Sequence, residues 1–200
     1  MFQPSSASSA SPVERAHSPK RPLPHLRLVR EPREVPPQLQ NRDPDLIRKI
    51  YPYLAALSDR YYRAEVQGLE NFSEDASLVV STHNGSINTP DLYCMMVAFW
   101  RRFGLETPGY GLMHKVAFKV PLLGSFLTKL GALPASHENG DTVLRAGYPL
   151  LVCPGGDMDA LKPYAQRHKV TFGNRKGFIR MAIRNQVPII PTVRDRKSVV

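Results

Sequence analysis

The chain has 200 residues, of which 42% are hydrophobic. It can therefore form one domain with a packed core, but it is too short for two domains that each have an adequate core. Its 27 basic and 17 acidic side chains give a formal net charge of +10, which favours an anionic partner such as a nucleic acid, a membrane surface or a small substrate. No signal peptide and no apolar run of roughly 18 residues is visible, so we expect any membrane contact to be peripheral or to lie outside this chain.

The first part of the chain is rich in proline, serine and arginine. Nine of the nineteen prolines fall between Pro4 and Pro44, and large apolar side chains are few there. Such a segment cannot bury enough apolar surface to offset the entropy lost on folding. We therefore expect a disordered tail over residues 1–42 and one domain over residues 43–200.

Within this domain the first predicted element is a helix that starts at Pro44, with Asp43 as its N-cap and a kink or break at Pro52. Loose alternation over residues 62–69 predicts a strand. Strands and helices then alternate along the rest of the chain. The predicted strands cover residues 78–80, 111–113, 132–134, 150–153 and 187–193, and the predicted helices cover residues 90–103, 122–130, 141–145 and 176–185. This order implies an α/β fold with a mixed, mainly parallel sheet flanked by helices.

A first candidate site follows the apolar strand at residues 78–80. His83 comes directly after that strand, and Asp91 lies at the start of the next predicted helix. Ligands bind at strand ends in such sheets, and a histidine can take a proton from a hydroxyl near neutral pH. A carboxylate within reach would fix the histidine tautomer. In the alternative interpretation, Asp91 only complements the helix dipole and His83 is a polar loop residue.

Two further segments have the composition of anion-binding sites. Gly155 and Gly156 follow another apolar strand, and paired glycines allow backbone N–H groups to approach an oxyanion or a phosphate. Arg175 and Lys176 precede the last predicted helix, where two cations are electrostatically unfavourable unless an anion binds. An ordinary Gly-Gly turn and a solvated basic turn are the alternatives for these two segments.

Taken together, these segments resemble the glycerolipid acyltransferase family over about residues 62–193. In that family a histidine block carries the catalytic base and its aspartate, matched here by His83 and Asp91. A Pro-Leu-Leu-Gly helix is matched by residues 121–124, and a Pro-Gly-Gly turn after a strand is matched by residues 154–156. A fourth segment of the family, an apolar strand with Val-Pro-type residues, is matched here by residues 187–191. The turn is more similar to the diacylglycerol acyltransferase branch than to the phosphate-acceptor enzymes.

One departure from the family pattern concerns the partner of His83. The common spacing puts the aspartate five residues after the histidine, where this chain has Asn88, whereas Asp91 lies eight residues on. Asp91 is the preferred partner and Asn88 is the alternative. The chain also ends soon after the fourth segment, so a non-catalytic, truncated lipid- or acyl-CoA-binding protein is the second functional interpretation.

The resemblance implies transfer of a fatty acyl group from acyl-CoA to a hydroxyl of a glycerolipid-like acceptor at a membrane surface. His83 would be the general base, and no metal, no nucleic acid and no cofactor beyond the co-substrate acyl-CoA is expected. The protein would be membrane-associated, on the cytoplasmic face. The implied substrate-binding residues are Asn84, Gly85, Pro154, Gly155, Gly156, Asn174, Arg175 and Lys176.

Two segments could contact a membrane. The first covers residues 92–102 and ends in Arg101 and Arg102, but its pattern is better explained by a helix that faces the core. The second covers residues 118–127 and carries lysines near its ends.

Overall fold

The structure, a computed structural model, describes residues 35–82, 90–161, 164–166, 169–170 and 172–193. Its strands are β1 (Leu78–Ser81), β2 (Tyr110–Met113), β3 (Ala132–Pro134), β4 (Leu150–Val152) and β5 (Ile189–Thr192). Its α-helices are α1 (Pro44–Ala56), α2 (Pro90–Phe103), α3 (Leu123–Lys129), α4 (His137–Arg145), α5 (Gly156–Ala160) and α6 (Gly177–Asn185). Short 3-10 helices cover Pro37–Leu39, Leu69–Asn71, Lys115–Lys119 and Tyr164–Gln166, and a π-helix covers Leu57–Tyr61.

The five strands form one sheet in the order β3-β2-β4-β1-β5. Every pairing between these strands is parallel, and β1 lies between β4 and β5. The predicted α/β class, with a mainly parallel sheet flanked by helices, is confirmed. Because the strands are parallel, all five end at the same edge of the sheet, which is the edge where ligands bind in folds of this kind.

The helices are divided between the two faces of the sheet. The connections from β1 to β2 and from β2 to β3 run in one direction across the sheet, and the later ones run back. Right-handed crossovers therefore place α2 and α3 on one face and α4 and α6 on the other. Helix α4 accordingly contacts α6, while α1 contacts α2 and α3.

Each face has its own apolar cluster. On the face of α4 and α6, alternate strand residues such as Leu78, Val80 and Leu150 pack against Val143 and Met181. The other cluster is built on Ile47, Phe99 and Trp100 from α1 and α2. The apolar segment at residues 92–102 thus belongs to the core, as its helical pattern predicted.

The packed chain starts before residue 43, so the predicted tail boundary at residue 42 is too late. Leu39 is only 2% exposed and belongs to the cluster on the α4 face. The hydroxyl of Tyr110 donates a hydrogen bond to the carbonyl of Leu39 at 3.1 Å. Burial raises the pKa of Tyr110 to about 12, so this donor keeps its proton at neutral pH. Residues 1–34 lie outside the described part of the chain, and for them the tail stays a prediction.

The structure shows neither a break at Pro52, which was one of the two expected alternatives there, nor a strand over residues 62–69. Helix α1 continues through Pro52 to Ala56 without a break. Proline has no backbone N–H, so one carbonyl of the preceding turn lacks its helical hydrogen bond. Pro52 is exposed, and water can therefore donate a hydrogen bond to that carbonyl. Residues 62–69, all of them described, contain no strand: Arg63 and Gly68, with φ angles of 47° and 79°, interrupt the segment near its two ends, and the residues between them pair with none of the described strands. Extended backbone requires negative φ, so the loose alternation in this segment was not a strand signal.

Gly131 offers a direct test of the packing between β2 and β3. Its φ is 95°, and a Cβ at this position would lie 2.6 Å from the carbonyl oxygen of Gly109. We expect Gly131→Ala to lower the free energy of unfolding by about 2 kcal/mol or more, from backbone strain and the clash together. Gly104→Ala is the matched control, because Gly104 has a φ of 92° but no atom within 4 Å of its Cβ position. Equal losses in denaturant unfolding would mean that the clash contributes nothing.

Candidate active site

Two of the segments predicted to carry chemistry leave the sheet side by side. Strands β1 and β4 are hydrogen-bonded neighbours, and Val80 is paired with Val152. The chain continues from β1 through Ser81 and Thr82, which are both buried, and from β4 into Cys153. The histidine segment and the Gly-Gly segment therefore start from adjacent points on the ligand-binding edge, although they are far apart in sequence.

The histidine segment is described only at its two ends. His83, Asn84, Gly85 and Asn88 lie outside the described residues. Asp91 lies in the first turn of α2 and is half-buried. A carboxylate in that position is also favoured by the helix dipole. Its pairing with His83 therefore stays a prediction.

The Gly-Gly segment forms a tight turn into α5. The backbone N–H of Gly156 donates to the carbonyl of Cys153 at 3.1 Å, which closes the turn beside Pro154. Gly156 has a φ of 51°, in the left-handed region that favours glycine. Gly155 is buried below it, and its carbonyl accepts from the N–H of Asp159 at 3.4 Å. This arrangement occupies the Gly156 N–H within the turn, so binding of an oxyanion by this group requires that bond to be shared or exchanged.

Arg175 holds the turn from outside. One guanidinium nitrogen, Nη1, donates to the carbonyl of Gly155 at 2.9 Å, and the other, Nη2, contacts the carboxylate of Asp157 at 2.7 Å. The hydrogen bond from Arg175 keeps the pKa of Asp157 below its usual range, so the ion pair persists to acidic pH. In this conformation the guanidinium binds the protein itself, and a role for Arg175 in binding a phosphate requires these bonds to exchange.

The two neighbours of Arg175 are differently placed. Asn174 and Lys176 are exposed, and Lys176 is the N-cap residue of α6 without a capping side-chain bond. A Cβ on Gly177 would lie 2.8 Å from Cε1 of His137, so the first turns of α6 and α4 are in close contact. Lys176 is thus exposed and takes no part in the bonds of Arg175 to the turn, and His137, which the sequence had not singled out, lies against the neighbouring Gly177.

The sequence also missed the pairing of Asp157 with Arg175. Both residues lie in segments named as candidate sites, but the chain carries 27 basic side chains, and nothing in their spacing indicates which one contacts Asp157. The available signal was the position of Asp157 directly after two glycines, where a carboxylate can reach back over a turn.

A cavity of about 370 Å³ lies away from this edge. It is lined by Ser58, Ala64, Val66, Leu69, Cys94, Val97, Ala98, Arg101 and Arg102. Because α2 starts at the ligand-binding edge, its last turn with Arg101 and Arg102 points to the opposite edge of the sheet. None of the predicted site residues that the structure describes lines this cavity, which makes the strand ends the better candidate for the chemistry.

The described residues contain neither a candidate metal site nor a helix that could span a membrane. Within the described ranges, no three His, Cys, Asp or Glu side chains come together in a way that could hold a metal ion. Among the helices of that same part of the chain, none is long and apolar enough to cross a membrane.

Residues 63–194 match the family model described as Acyltransferase. The chain is also 36% identical over 127 residues to a mouse (Mus musculus) protein named "DGAT1/2-independent enzyme synthesizing storage lipids", an alignment that covers 64% of this chain and 37% of the mouse protein. The human (Homo sapiens) protein of the same name is 33% identical over 127 residues, or 64% of this chain and 38% of the relative.

A protein of Mycobacterium tuberculosis is 28% identical over 143 residues, which cover 71% of this chain and 40% of that protein. The chain thus spans between 37% and 40% of the length of these three curated relatives. No solved structure was found to match the chain.

Proposed function

Because this chain belongs to the acyltransferase family, we propose that it moves a fatty acyl group from acyl-CoA to a hydroxyl of a glycerolipid-like acceptor at a membrane surface. The observation that carries the proposal is the adjacent ending of β1 and β4, which brings the start of the histidine segment next to the Gly-Gly turn. The names of the mouse and human relatives refer to the synthesis of storage lipids, which supports a lipid acceptor.

In the proposed reaction the acceptor hydroxyl attacks the thioester carbon of acyl-CoA. His83 takes the hydroxyl proton as the new C–O bond forms, and Asp91 stabilises the resulting imidazolium. The tetrahedral oxyanion then collapses, the C–S bond breaks, and the leaving CoA sulfur takes the proton from His83. The products are an ester and free CoA, so each turnover releases one thiol.

The Gly-Gly turn is the proposed electrostatic partner of this chemistry. Backbone N–H groups at Gly155 and Gly156 would stabilise the oxyanion, once the bond from Gly156 to Cys153 is shared or exchanged. Pro154, whose φ is restricted by its ring, stiffens the entry to the turn. Asn84 and Gly85 are proposed to contact the substrate from the β1 side.

The segment before α6 is proposed to attract the CoA phosphates. Lys176 is exposed there, and so is Asn174 beside it. Arg175 would contribute by holding the turn or, after exchange of its bonds, by contacting a phosphate directly. The formal net charge of +10 favours the approach of an anionic donor such as acyl-CoA.

We place the reaction at the cytoplasmic face of a membrane. Neither Cys94, which is buried, nor Cys153 forms a disulfide, as is usual in a reducing compartment. The membrane is where a glycerolipid acceptor resides, and contact with it would be peripheral for the described part of the chain.

The first test is thiol release from a long-chain acyl-CoA with monoacylglycerol, diacylglycerol or lysophosphatidate as acceptor. Acceptor-dependent release supports acyl transfer and ranks the three acceptors. Binding of acyl-CoA without any release would replace the enzyme by the second interpretation, a non-catalytic acyl-CoA-binding protein. Salt-sensitive binding to DNA, with none to acyl-CoA, would overturn both.

The identity of the partner of His83 is tested by Asp91→Asn and Asn88→Ala. We expect Asp91→Asn to lower kcat/KM about 10- to 100-fold, because a charged hydrogen bond of roughly 1.5 to 3 kcal/mol is lost. Asn88→Ala should have a smaller effect. The reverse ranking in the thiol-release assay would assign the role to Asn88.

A further inference from the structure

Between β2 and β3 the chain presents an unusual concentration of exposed apolar side chains. Leu122 is 89% exposed, and its neighbours are also open to solvent. The exposed apolar residues of this segment, which we call the apolar tip, are Val116, Val120, Leu122, Leu123 and Phe126. Isolated exposed leucines are ordinary, but five such side chains within eleven residues form a patch of the kind that marks an interaction surface.

The apolar tip is held in shape by tight packing. A Cβ on Gly124 would lie 2.8 Å from the carbonyl oxygen of Phe118, so only glycine allows α3 to lie this close to the preceding 3-10 helix. Leu122, at the turn between them, has a φ of 65°, which is strained for leucine. The conformation of Leu122 destabilises the fold, and its exposed side chain gains little from burial. These two features indicate that Leu122 contacts a partner molecule and does not serve to stabilise the fold.

The charge around the apolar tip indicates the nature of its partner. Lys115 and Lys119 are exposed on the 3-10 helix, and the chain contains no acidic residue between Glu106 and Glu138. Among the described residues, the carboxylate of Asp43 lies 3.9 Å from Nζ of Lys129, at the far end of α3. Apolar side chains flanked by lysines that form no ion pair with another described residue fit an anionic phospholipid surface, where each lysine contributes about 1 kcal/mol of binding.

The apolar tip lies at the same edge of the sheet as the candidate active site. The 3-10 helix begins just after β2 ends, and α3 then leads back to the start of β3. The turn at Leu122 therefore lies at the edge where β1 and β4 also end. A membrane that contacts the apolar tip would face the strand ends where the acceptor hydroxyl is expected to react.

We propose that the apolar tip docks this protein onto an anionic phospholipid bilayer, with Leu122 inserted between the lipid headgroups. This docking rests on the proposed function, because acyl transfer to a glycerolipid is what would bring the protein to a membrane. A second copy of the chain fits less well, because a symmetric contact through this patch would bring the lysines of both copies together.

The test is flotation of the full chain with vesicles of phosphatidylcholine, with and without phosphatidylserine, in the absence of acyl-CoA. We expect Leu122→Asn to weaken vesicle binding about tenfold, because one buried leucine side chain is lost. Leu122 is 89% exposed, and its φ of 65° with a ψ of −39° lies outside the left-handed region that asparagine favours, so the same variant should unfold at about the parental temperature. A residue that mattered for folding alone would lower the unfolding temperature.

Two further variants complete the design. Lys115→Gln with Lys119→Gln should weaken binding to vesicles that contain phosphatidylserine, by about fivefold per lysine, with little change on pure phosphatidylcholine. Ile183→Ser is the matched control, since Ile183 is 72% exposed but lies on α6, on the other face of the sheet, and we expect parental binding.

Several results would overturn the proposal. These are an absence of parental binding to vesicles, parental binding by Leu122→Asn, a loss of folding in that variant, or a lipid-free dimer that Leu122→Asn dissociates. Because flotation requires no turnover, failure of docking leaves the proposed acyl transfer standing. Failure of the thiol-release assay likewise leaves the docking result in place.

Discussion

Replacement of His83 by alanine is expected to lower the turnover number for acyl transfer by about 10²- to 10⁴-fold, which is the usual contribution of a general base. The loss should appear in acceptor-dependent thiol release at saturating substrate, because removal of the base affects the transition state more than binding. Binding of acyl-CoA, measured separately, should remain close to that of the parent.

His137→Ala is the control for this experiment. His137 is exposed and opens α4 at the same edge of the sheet, with its ring against Gly177. It has the same chemistry as His83 but no part in the proposed proton transfer, so its variant should retain turnover. Full turnover in His83→Ala, or a larger loss in His137→Ala, would show that the base is wrongly assigned.

The sequence predicted those elements whose limits are set by local chemistry. Helix α2 occurs with the bounds that were expected, because Pro90 suits a first helical turn and Gly104 follows the last residue. The strand at Ala132–Pro134 was also found at its predicted position. In both cases the signals that start and end the element lie within a few residues of it.

Features that depend on contacts between distant parts of the chain were harder to predict from the sequence. The order of the strands, with Val79 paired to both Leu151 and Ile190, results from parallel pairing across long connections, and no local pattern encodes it. The burial of Leu39 was missed for the same reason, because its partner Tyr110 is remote in sequence. Composition alone assigned that segment to the tail.

The candidate site contains both features that local sequence predicts and features that depend on contacts between distant residues. The sequence and the family resemblance named the Gly-Gly turn and the basic segment before α6, but each as a separate anion-binding candidate. The structure joins them through Arg175, which bonds to Gly155 and to Asp157. A basic residue that looked available to a ligand is instead part of the support of the turn, which a count of charges could not reveal.

This support makes Gly156→Ala the second substitution with a large expected effect. A Cβ on Gly156 would lie 2.5 Å from Nη1 of Arg175, so the guanidinium must shift, which weakens or breaks its bond to Gly155. The φ of 51° adds backbone strain of about 1 to 2 kcal/mol. If the turn stabilises the oxyanion, we expect turnover to fall about 10²- to 10³-fold.

Two comparisons distinguish a loss of the catalytic role of the turn from a general loss of stability. Gly104→Ala places alanine at a φ of 92° with no atom within 4 Å of the new Cβ, so it should cost stability and leave turnover intact. Arg175→Ala removes the support of the turn but not its glycine. Since Gly156→Ala already displaces Arg175, the loss in the double variant should be smaller than the product of the two single losses. Independent losses in thiol release, measured below the unfolding temperature of each variant, would mean that Arg175 acts elsewhere, for example directly on a substrate phosphate.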